Sequence, residues 1–153
     1  MAAGIIELAG IGRLVDDEHV LLASEQFQTP WAWLDLRSRR ITPEVGSSEG
    51  QARLLDIDPT TGRALKCVGM LTRPGLNLVV LHEGTPDQLV AHIDIPGVDP
   101  SACPMALLVP PDGVAYAVDR RILLSTGGQP AVELGRLDDD VVAMTLAGPH
   151  RLA

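Results

Sequence analysis

The chain has 153 residues and a formal net charge of −8, and 46% of its residues are hydrophobic while only 3% are aromatic. A net negative charge of this size repels a phosphate backbone, and few aromatic side chains are present to stack on bases. We therefore expect no nucleic-acid binding. The first residues lack a basic segment and no apolar run approaches the roughly 20 residues that span a bilayer, so we expect no membrane association and a cytoplasmic location.

In chain order, short apolar runs between turn residues predict strands in the first 62 residues. Pro, Gly, Asp and Ser bound these runs and interrupt every candidate helical window. Residues 5–8, together with the segment up to the acidic turn at residues 16–18, are interpreted as the end of an incomplete unit. The strands expected next span residues 20–23, 31–36, 40–45 and 52–57, and a hairpin turn is expected at residues 58–62.

The rest of the chain continues the same alternation of apolar runs and turns. Strands are expected at residues 64–71, 76–82 and 89–95, then at 105–109, 114–118, 122–124 and 132–137, and a further unit begins at 141–146. Within residues 89–95, strict alternation predicts that Leu89, Ala91 and Ile93 point inward and that Val90 and His92 point outward. The fold class expected is therefore all-β, built from antiparallel meanders.

The clearest meander is residues 104–126, in which three apolar runs are separated by two turns. The first turn contains Pro110, Pro111, Asp112 and Gly113. Proline presets the φ angle of a turn and glycine adopts a positive φ without steric cost, so we expect Gly113 to have a positive φ.

Two markers indicate an internal repeat. Proline separates apolar runs at positions 30, 74, 111 and 149, which are 44, 37 and 38 residues apart. In addition, Gly12-Arg13-Leu14 and the acidic residues after it resemble Gly135-Arg136-Leu137, which lies 123 residues, or three times 41, further on. A period near 40 in a strand-rich chain is typical of a β-propeller blade, which has about 40 to 45 residues in four strands.

Residues 104–124 resemble a blade of the NHL and quinoprotein-like propeller families, in which an apolar strand, a Pro-Asp-Gly turn, a second strand and a closing Asp recur. The chain is less similar to the Trp-Asp repeat type, because Trp33-Leu34-Asp35 is its one faint echo of that motif. The resemblance implies antiparallel meanders arranged as β-propeller blades, about three to four in number. Residues 1–153 would then form one propeller-like domain, closed by itself or part of a larger ring.

Residues that could carry chemistry favour structural roles. Asp56 and Asp58 lack the third carboxylate and the distal Glu of a calcium loop, so a hairpin turn explains them better and we expect no metal. Cys67 and Cys103 do not make a disulfide framework in a chain of this length, and we expect free thiols. His82 and His92 are expected about 10 Å apart along one hairpin, too far to chelate.

Five arginines are the candidate binding residues. Arg37 and Arg39 precede the strand predicted at residues 40–45 and Arg40 begins it, while Arg120 and Arg121 precede the strand predicted at residues 122–124. Both groups are interpreted as lying on the turn after the second strand of a blade, which would place them on one rim. Arginine is favoured in protein interfaces, although ordinary solvated turns would also explain these positions.

The function expected is a non-catalytic scaffold or protein-interaction module of a larger assembly, with no cofactor and no catalytic residues. Because three periods are too few for a propeller to close, a protein partner or a second copy of the chain would complete the ring, unless residues 5–8 join residues 141–146 in a short fourth blade. The alternative is a small-ligand-binding or lactonase or quinoprotein-like enzyme, which would need polar residues at the blade starts. A β-sandwich or barrel is the alternative architecture.

Overall fold

The computed structural model describes residues 11–23, 31–43, 50–70, 75–94, 103–127, 129–139, 144–148 and 151–152. These residues contain fourteen strands and no helix, and all strand pairs are antiparallel, which confirms the predicted all-β fold of antiparallel meanders. The strands predicted at residues 5–8 and at 141–143 lie outside the described residues.

Three four-stranded sheets follow one another along the chain, each with its strands in sequence order. Sheet 1 consists of β1 (Ile11–Leu14), β2 (His19–Ala23), β3 (Ala32–Asp35) and β4 (Arg40–Pro43). Sheet 2 consists of β5 (Gly50–Asp58), β6 (Arg63–Met70), β7 (Leu76–His82) and β8 (Gln88–Ile93). Sheet 3 consists of β9 (Ala106–Val109), β10 (Gly113–Val118), β11 (Arg121–Thr126) and β12 (Val132–Arg136), and a hairpin of β13 (Leu146–Gly148) and β14 (Arg151–Leu152) comes last.

Sheet 2 is the middle layer of a stack, because alternate residues of its strands enter two different cores. Ala64 and Val68 on β6 pack with Leu21 and Trp33 of sheet 1. The intervening residues Leu65 and Cys67 pack with sheet 3, and the full set in this second core is Leu65, Cys67, Leu76, Leu78, Val80, Ile93, Leu108, Val114 and Tyr116. A strand buried on both faces is expected to be apolar over most of its length, as β6 and β7 are apart from Lys66 and Asn77 in their interiors.

Burial of these side chains is the main contribution to stability. Leu65, Leu76, Leu78 and Leu81 in sheet 2 are fully buried, and burying one such side chain contributes about 1.5 to 3 kcal/mol. The rings of Trp31 and Trp33 close the core between sheets 1 and 2.

The observed sheets shift the predicted unit boundaries by one strand. Residues 52–57 belong to β5, the first strand of sheet 2, and do not end the first unit, while β1 begins sheet 1 and does not end an earlier one. The β5–β6 hairpin through the turn at Asp58 to Gly62 has eight paired positions, so β5 belongs to the same sheet as β6.

Neither of the two repeat markers marks equivalent positions throughout. Pro30 and Pro74 precede β3 and β7, the third strands of their sheets, whereas Pro111 precedes β10, a second strand. Gly12 lies on β1, the first strand of its sheet, whereas Gly135 lies on β12, a fourth strand.

A different spacing is observed: the third strands of the three sheets begin at Ala32, Leu76 and Arg121, so successive ones are 44 and 45 residues apart. The first strands begin at Ile11, Gly50 and Ala106, which are 39 and 56 residues apart, so the spacing differs between strands and an internal repeat stays a prediction.

Gly113 does not have the positive φ that was predicted for it. It begins β10 and pairs with Val109 and Thr126, so its backbone is extended. The φ of Gly127 is +52° and that of Gly62 is +68°, and the peptide bond between Pro110 and Pro111 is cis. The turn between β9 and β10 consists of residues 110–112, and Gly113 already belongs to β10.

Candidate functional site

A cleft of about 300 Å³ lies where the first strands of sheets 2 and 3 approach each other. β5 contributes residues 55–58, β9 contributes residues 106–108, and Met144 and Thr145 complete the lining with Pro110. Both strands lie at the edge of their sheets, because β5 pairs with β6 and β9 pairs with β10. The cleft thus lies along two sheet edges and includes two carboxylates, Asp56 and Asp58.

Asp56 connects the two sheets across this cleft. Its Oδ2 accepts a hydrogen bond of 2.8 Å from the backbone N–H of Leu108, at the edge of β9, and its Oδ1 accepts one of 2.9 Å from Ile57. Burial raises the pKa of this carboxyl above its ordinary value, while the two hydrogen bonds oppose that rise. A β-bulge between Leu54 and Asp56 turns the side chain toward sheet 3.

Asp58 closes the β5–β6 hairpin, which is the role expected for it. Its carboxylate accepts hydrogen bonds from Thr60 N, Thr60 Oγ1 and Thr61 Oγ1 at 2.6 to 3.0 Å, and Arg63 lies 3.6 Å away. Burial raises the pKa of Asp58, but these donors outweigh it and hold the pKa below its ordinary value. Within the described part of the chain, no three His, Cys, Asp or Glu side chains gather as metal ligands would.

His19 connects sheet 1 to the β7–β8 turn of sheet 2. Its Nδ1 lies 2.9 Å from both carboxylate oxygens of Asp16, and its Nε2 lies 2.6 Å from Oε2 of Glu83. The hydrogen bond with Asp16 raises the pKa of His19 above its ordinary value, and the charge of Glu83 adds to this effect against the opposing effect of burial. When its ring is protonated, His19 is a cation between two carboxylates and links sheet 1 to the β7–β8 turn.

Lys66, the one lysine of the sequence, lies inside the core between sheets 1 and 2. Only 3% of the residue is exposed; its Nζ lies 3.2 Å from Oδ2 of Asp87 and 5.3 Å from the ring centroid of Trp31. The carboxylate and the aromatic ring compensate for the loss of hydration of the ammonium group. The sequence analysis missed this site because the residues around Lys66 are apolar and were interpreted only as a buried strand. The signal that could have revealed it is the charged side chain of Lys66 within that apolar run.

The five arginines predicted as a binding rim lie on two kinds of turn. Arg37 and Arg39 lie between the third and fourth strands of sheet 1, with Arg40 at the start of β4, whereas Arg120 lies between the second and third strands of sheet 3 and Arg121 begins β11. Turns after the second and third strands of a meander lie at opposite strand ends. The two groups therefore do not occupy equivalent positions, and their role in binding stays a prediction.

The prediction of free thiols is wrong, because Cys67 and Cys103 form a disulfide with their Cα atoms 6.1 Å apart. Cys67 projects from β6 into the core shared with sheet 3, and Cys103 packs against that core just before β9 begins. Stacking of the two sheets, rather than any local motif, brings the two residues together. Disulfides are rare in reducing compartments, so this one counts against the predicted cytoplasmic location, which stays a prediction.

The faces of sheets 1 and 3 that point away from sheet 2 carry exposed apolar side chains. In sheet 1, cross-strand pairs place Leu14, Val20, Leu34 and Ile41 in one row across all four strands, and Leu14 and Ile41 are 59% and 50% exposed. In sheet 3, the corresponding row is Leu107, Ala115, Leu124 and Val132, of which Val132 is 62% exposed while Leu107 and Ala115 are buried. Such rows on a sheet face are typical of surfaces that pack against another element.

Comparison of the chain with protein-family models, with curated proteins and with solved structures finds no match. Among the residues that the structure describes, no helix is long and apolar enough to cross a membrane.

Proposed function

We propose that this chain is a non-catalytic protein-interaction module, a set of propeller-type blades that a protein partner or a second copy of the chain completes. The observation that supports the proposal is the pair of apolar rows on the outward faces of sheets 1 and 3. Each sheet in the stack buries its apolar residues against a neighbouring sheet, and the two end sheets present similar rows with exposed members.

Two further features are compatible with this role. The sheets are four-stranded meanders that follow one another along the chain, and the first strands of sheets 2 and 3 lie next to each other, as neighbouring first strands do in a propeller. The arginines at positions 37, 39, 40, 120 and 121 would add polar contacts at the edges of the interface. A cytoplasmic location is retained as part of the proposal, to be tested by titrating free thiols in protein taken directly from its native compartment.

The test uses capture of binding partners by the purified chain and by two charge variants. Ile41→Glu and Val132→Glu each place a carboxylate in one apolar row, and we expect each to abolish capture of partners that the unmodified chain retains. Thr42→Glu is the matched control, because Thr42 is an exposed neighbour of Ile41 on the opposite face of β4. Equal capture by all four proteins would contradict the proposal.

The cleft between β5 and β9 favours a second candidate function, binding of a small ligand. Its volume suits a small molecule, and its carboxylates Asp56 and Asp58 would favour a cationic or hydroxylated one. Thermal melts in the presence of small amines and divalent cations test this candidate. A rise in the melting temperature that Asp56→Asn abolishes would support it over a purely structural cleft.

A further inference from the structure

Two arginines of sheet 3 lie directly opposite each other. Arg121, the first residue of β11, pairs with Arg136, the last residue of β12. The backbone N–H of Leu137 donates to the carbonyl oxygen of Arg120 at 2.8 Å. The next pair along the ladder, Arg121 and Arg136, is therefore a non-hydrogen-bonded one, in which the side chains lie closest. Like charges at directly opposite positions destabilise a sheet, and an anion beside the two guanidinium groups would relieve this repulsion.

Glu133 compensates only part of this charge. A β-bulge gives β12 one extra residue, Leu134, which places Glu133 on the same face as Arg136. Oε2 of Glu133 lies 4.0 Å from Nη1 of Arg121, and its Oε1 lies 3.7 Å from Nε of Arg136. Both distances exceed the roughly 2.7 to 2.9 Å of a hydrogen bond between charged groups. One positive charge is left uncompensated, and neither guanidinium group donates a hydrogen bond to a residue that the structure describes.

A buried phenol without a hydrogen-bond partner lies on the same face of sheet 3. Tyr116 pairs with Leu123, which is two residues from Arg121 on β11, so the ring and the guanidinium group are diagonal neighbours within reach of each other. Only 5% of Tyr116 is exposed, yet its Oη forms no hydrogen bond with the described part of the chain, although a buried tyrosine hydroxyl usually has a partner. Burial raises the pKa of Tyr116 and the charge of Arg121 lowers it, which agrees with their proximity.

These side chains lie at the outer margin of the interface between sheets 2 and 3. Tyr116 belongs to the core that the two sheets share. Arg121 is partly buried, whereas Arg136, on the edge strand β12, is mostly exposed. The apolar row through Val132 lies on the opposite face of sheet 3. A ligand from solvent would therefore meet the arginines first and the phenol behind them, and it would leave that row uncovered.

We infer that Arg121 and Arg136 bind the carboxylate group of a ligand, with the hydroxyl of Tyr116 as an additional donor. Guanidinium groups bind carboxylates through paired N–H donors. One uncompensated positive charge matches a singly charged carboxylate, whereas a phosphate dianion would add a second negative charge beside Glu133 in a chain whose net charge is already −8. The inference goes beyond the proposed function, because it does not depend on the apolar rows.

Titration of the purified chain with sodium acetate, followed by NMR at constant ionic strength, tests this site. The reporters are the arginine Nε–Hε signals and the ring of Tyr116, the one tyrosine of the sequence. We expect saturable shifts at Arg121, Arg136 and Tyr116, and weaker binding of inorganic phosphate at about pH 8, where it is a dianion. Tighter binding of phosphate than of acetate would overturn the carboxylate assignment. Shifts that do not saturate, or that are equally large at Arg37, would overturn the site.

Substitutions inside the site should change the acetate affinity in opposite directions. Arg121→Gln and Arg136→Gln each remove paired donors, and we expect the affinity to fall about tenfold or more. Glu133→Gln removes the carboxylate that competes for the same guanidinium groups, so the affinity should rise, and a lower or unchanged affinity would contradict the inference. Arg37→Gln is the matched control and should change nothing, because Arg37 is an exposed arginine of sheet 1 whose guanidinium group lies 3.6 Å from the carboxylate of Glu18.

Tyr116→Phe separates a role in binding from a role in folding. Because the phenol has no hydrogen-bond partner in the described chain, we expect the melting temperature to stay the same while the acetate affinity falls. An unchanged affinity would overturn the part assigned to Tyr116. The blocked peptide acetyl-Gly-Glu-Gly-amide identifies the source of the carboxylate: tighter binding than acetate supports a segment of a protein as the ligand, and equal binding supports a free acid.

Discussion

At the scale of single residues, His19 gives the molecule a contact whose strength depends on pH. Its raised pKa means that the folded state binds the proton more tightly than the unfolded state, in which the pKa is near 6.5. The added stability is therefore complete below about pH 6.5 and is lost as the pH rises through the folded-state pKa. Asp16, Glu83 and Asp35 are the charged groups that face the ring.

The prediction compares thermal melts of the unmodified chain and of His19→Gln between about pH 6 and about pH 9. We expect the unmodified chain to lose about 2 to 4 °C more than the variant over this range, corresponding to about 1 kcal/mol. His92→Gln is the matched control, because His92 forms no hydrogen bond between sheets in the described part of the chain: its hydrogen-bond partners are Asn77 on β7 of the same sheet and Asp94, which directly follows β8. Parallel pH profiles for the unmodified chain and His19→Gln would contradict the assignment.

The buried ammonium of Lys66 leads to a second prediction at this scale. Asp87→Asn removes the charge that lies 3.2 Å from Nζ, and we expect it to lower the free energy of unfolding by about 1 to 3 kcal/mol. The figure lies below the full cost of an uncompensated buried charge because the ring of Trp31 remains. Lys66→Met fills a similar volume without a charge, so it should cost less in the Asp87→Asn background than in the native one.

Denaturant unfolding of the two single variants and the double variant measures this coupling. The coupling is compared with that of a second ion pair, Arg63 and Asp58, whose charged groups lie 3.6 Å apart in the β5–β6 turn. Strict additivity of the Lys66 and Asp87 substitutions would show that the ion pair contributes nothing.

At the scale of the strand and turn, Gly75 and Gly84 separate steric crowding from backbone strain. Both have a positive φ, +112° and +76°. A Cβ on Gly75 would collide with the backbone oxygen of Ile93 and lie 2.9 Å from Cε1 of His92, whereas a Cβ on Gly84 meets nothing within 4 Å. We expect Gly84→Ala to cost about 1 kcal/mol and Gly75→Ala clearly more, and equal melting temperatures would contradict this difference.

The disulfide is the second prediction at this scale. It joins β6 to the segment before β9 across 36 residues, and loops of this size give a stabilisation of about 2 to 4 kcal/mol. We expect Cys103→Ser, and likewise reduction of the native protein, to lower the free energy of unfolding by that amount. A thiol-reactive dye should find no free thiol in the folded oxidised chain. Reaction of both cysteines without reductant would contradict the pairing.

The positions of most strands could be predicted from the sequence, but register could not. The alternation in β8 predicted Leu89 inward and Val90 outward, yet Leu89 is 58% exposed and Val90 packs on the core. Leu78 and Val79, which are consecutive on β7, pair with Ala91 and Leu89, so Val90 is an extra residue in β8. This bulge changes the faces of Leu89 and Val90, while Ala91 and Ile93 pack inward as predicted. A bulge depends on the partner strand, and one strand's own sequence does not contain that information.

At the scale of the whole molecule, the candidate sites were the least predictable feature. The turn at Asp58 could be predicted because the Asp, Pro and Gly that form it all lie within five consecutive residues. The contacts of Asp56 with Leu108, of His19 with Glu83 and of Cys67 with Cys103 join residues 36 to 64 positions apart. Each depends on how one sheet stacks on the next, which local patterns do not specify.

The stack itself predicts how stability is distributed, and native-state hydrogen exchange measures it. β6 and β7 are central strands of sheet 2, whose two faces are both covered, so their amides should open only with global unfolding. β4 and β12 lie at sheet edges and all their residues are exposed, so we expect their amides to exchange fastest among the strands with described side chains.

β10 and β12 provide the comparison within one sheet, since β10 has ladder partners on both sides and buried residues. Hydrogen exchange is measured at low protein concentration, at which a second copy of the chain would dissociate. Under that condition, protection of β12 equal to that of β7 would contradict the stacking order. Protection of β4 and β12 that rises together with protein concentration is the result expected if both strands lie in the same contact between two copies.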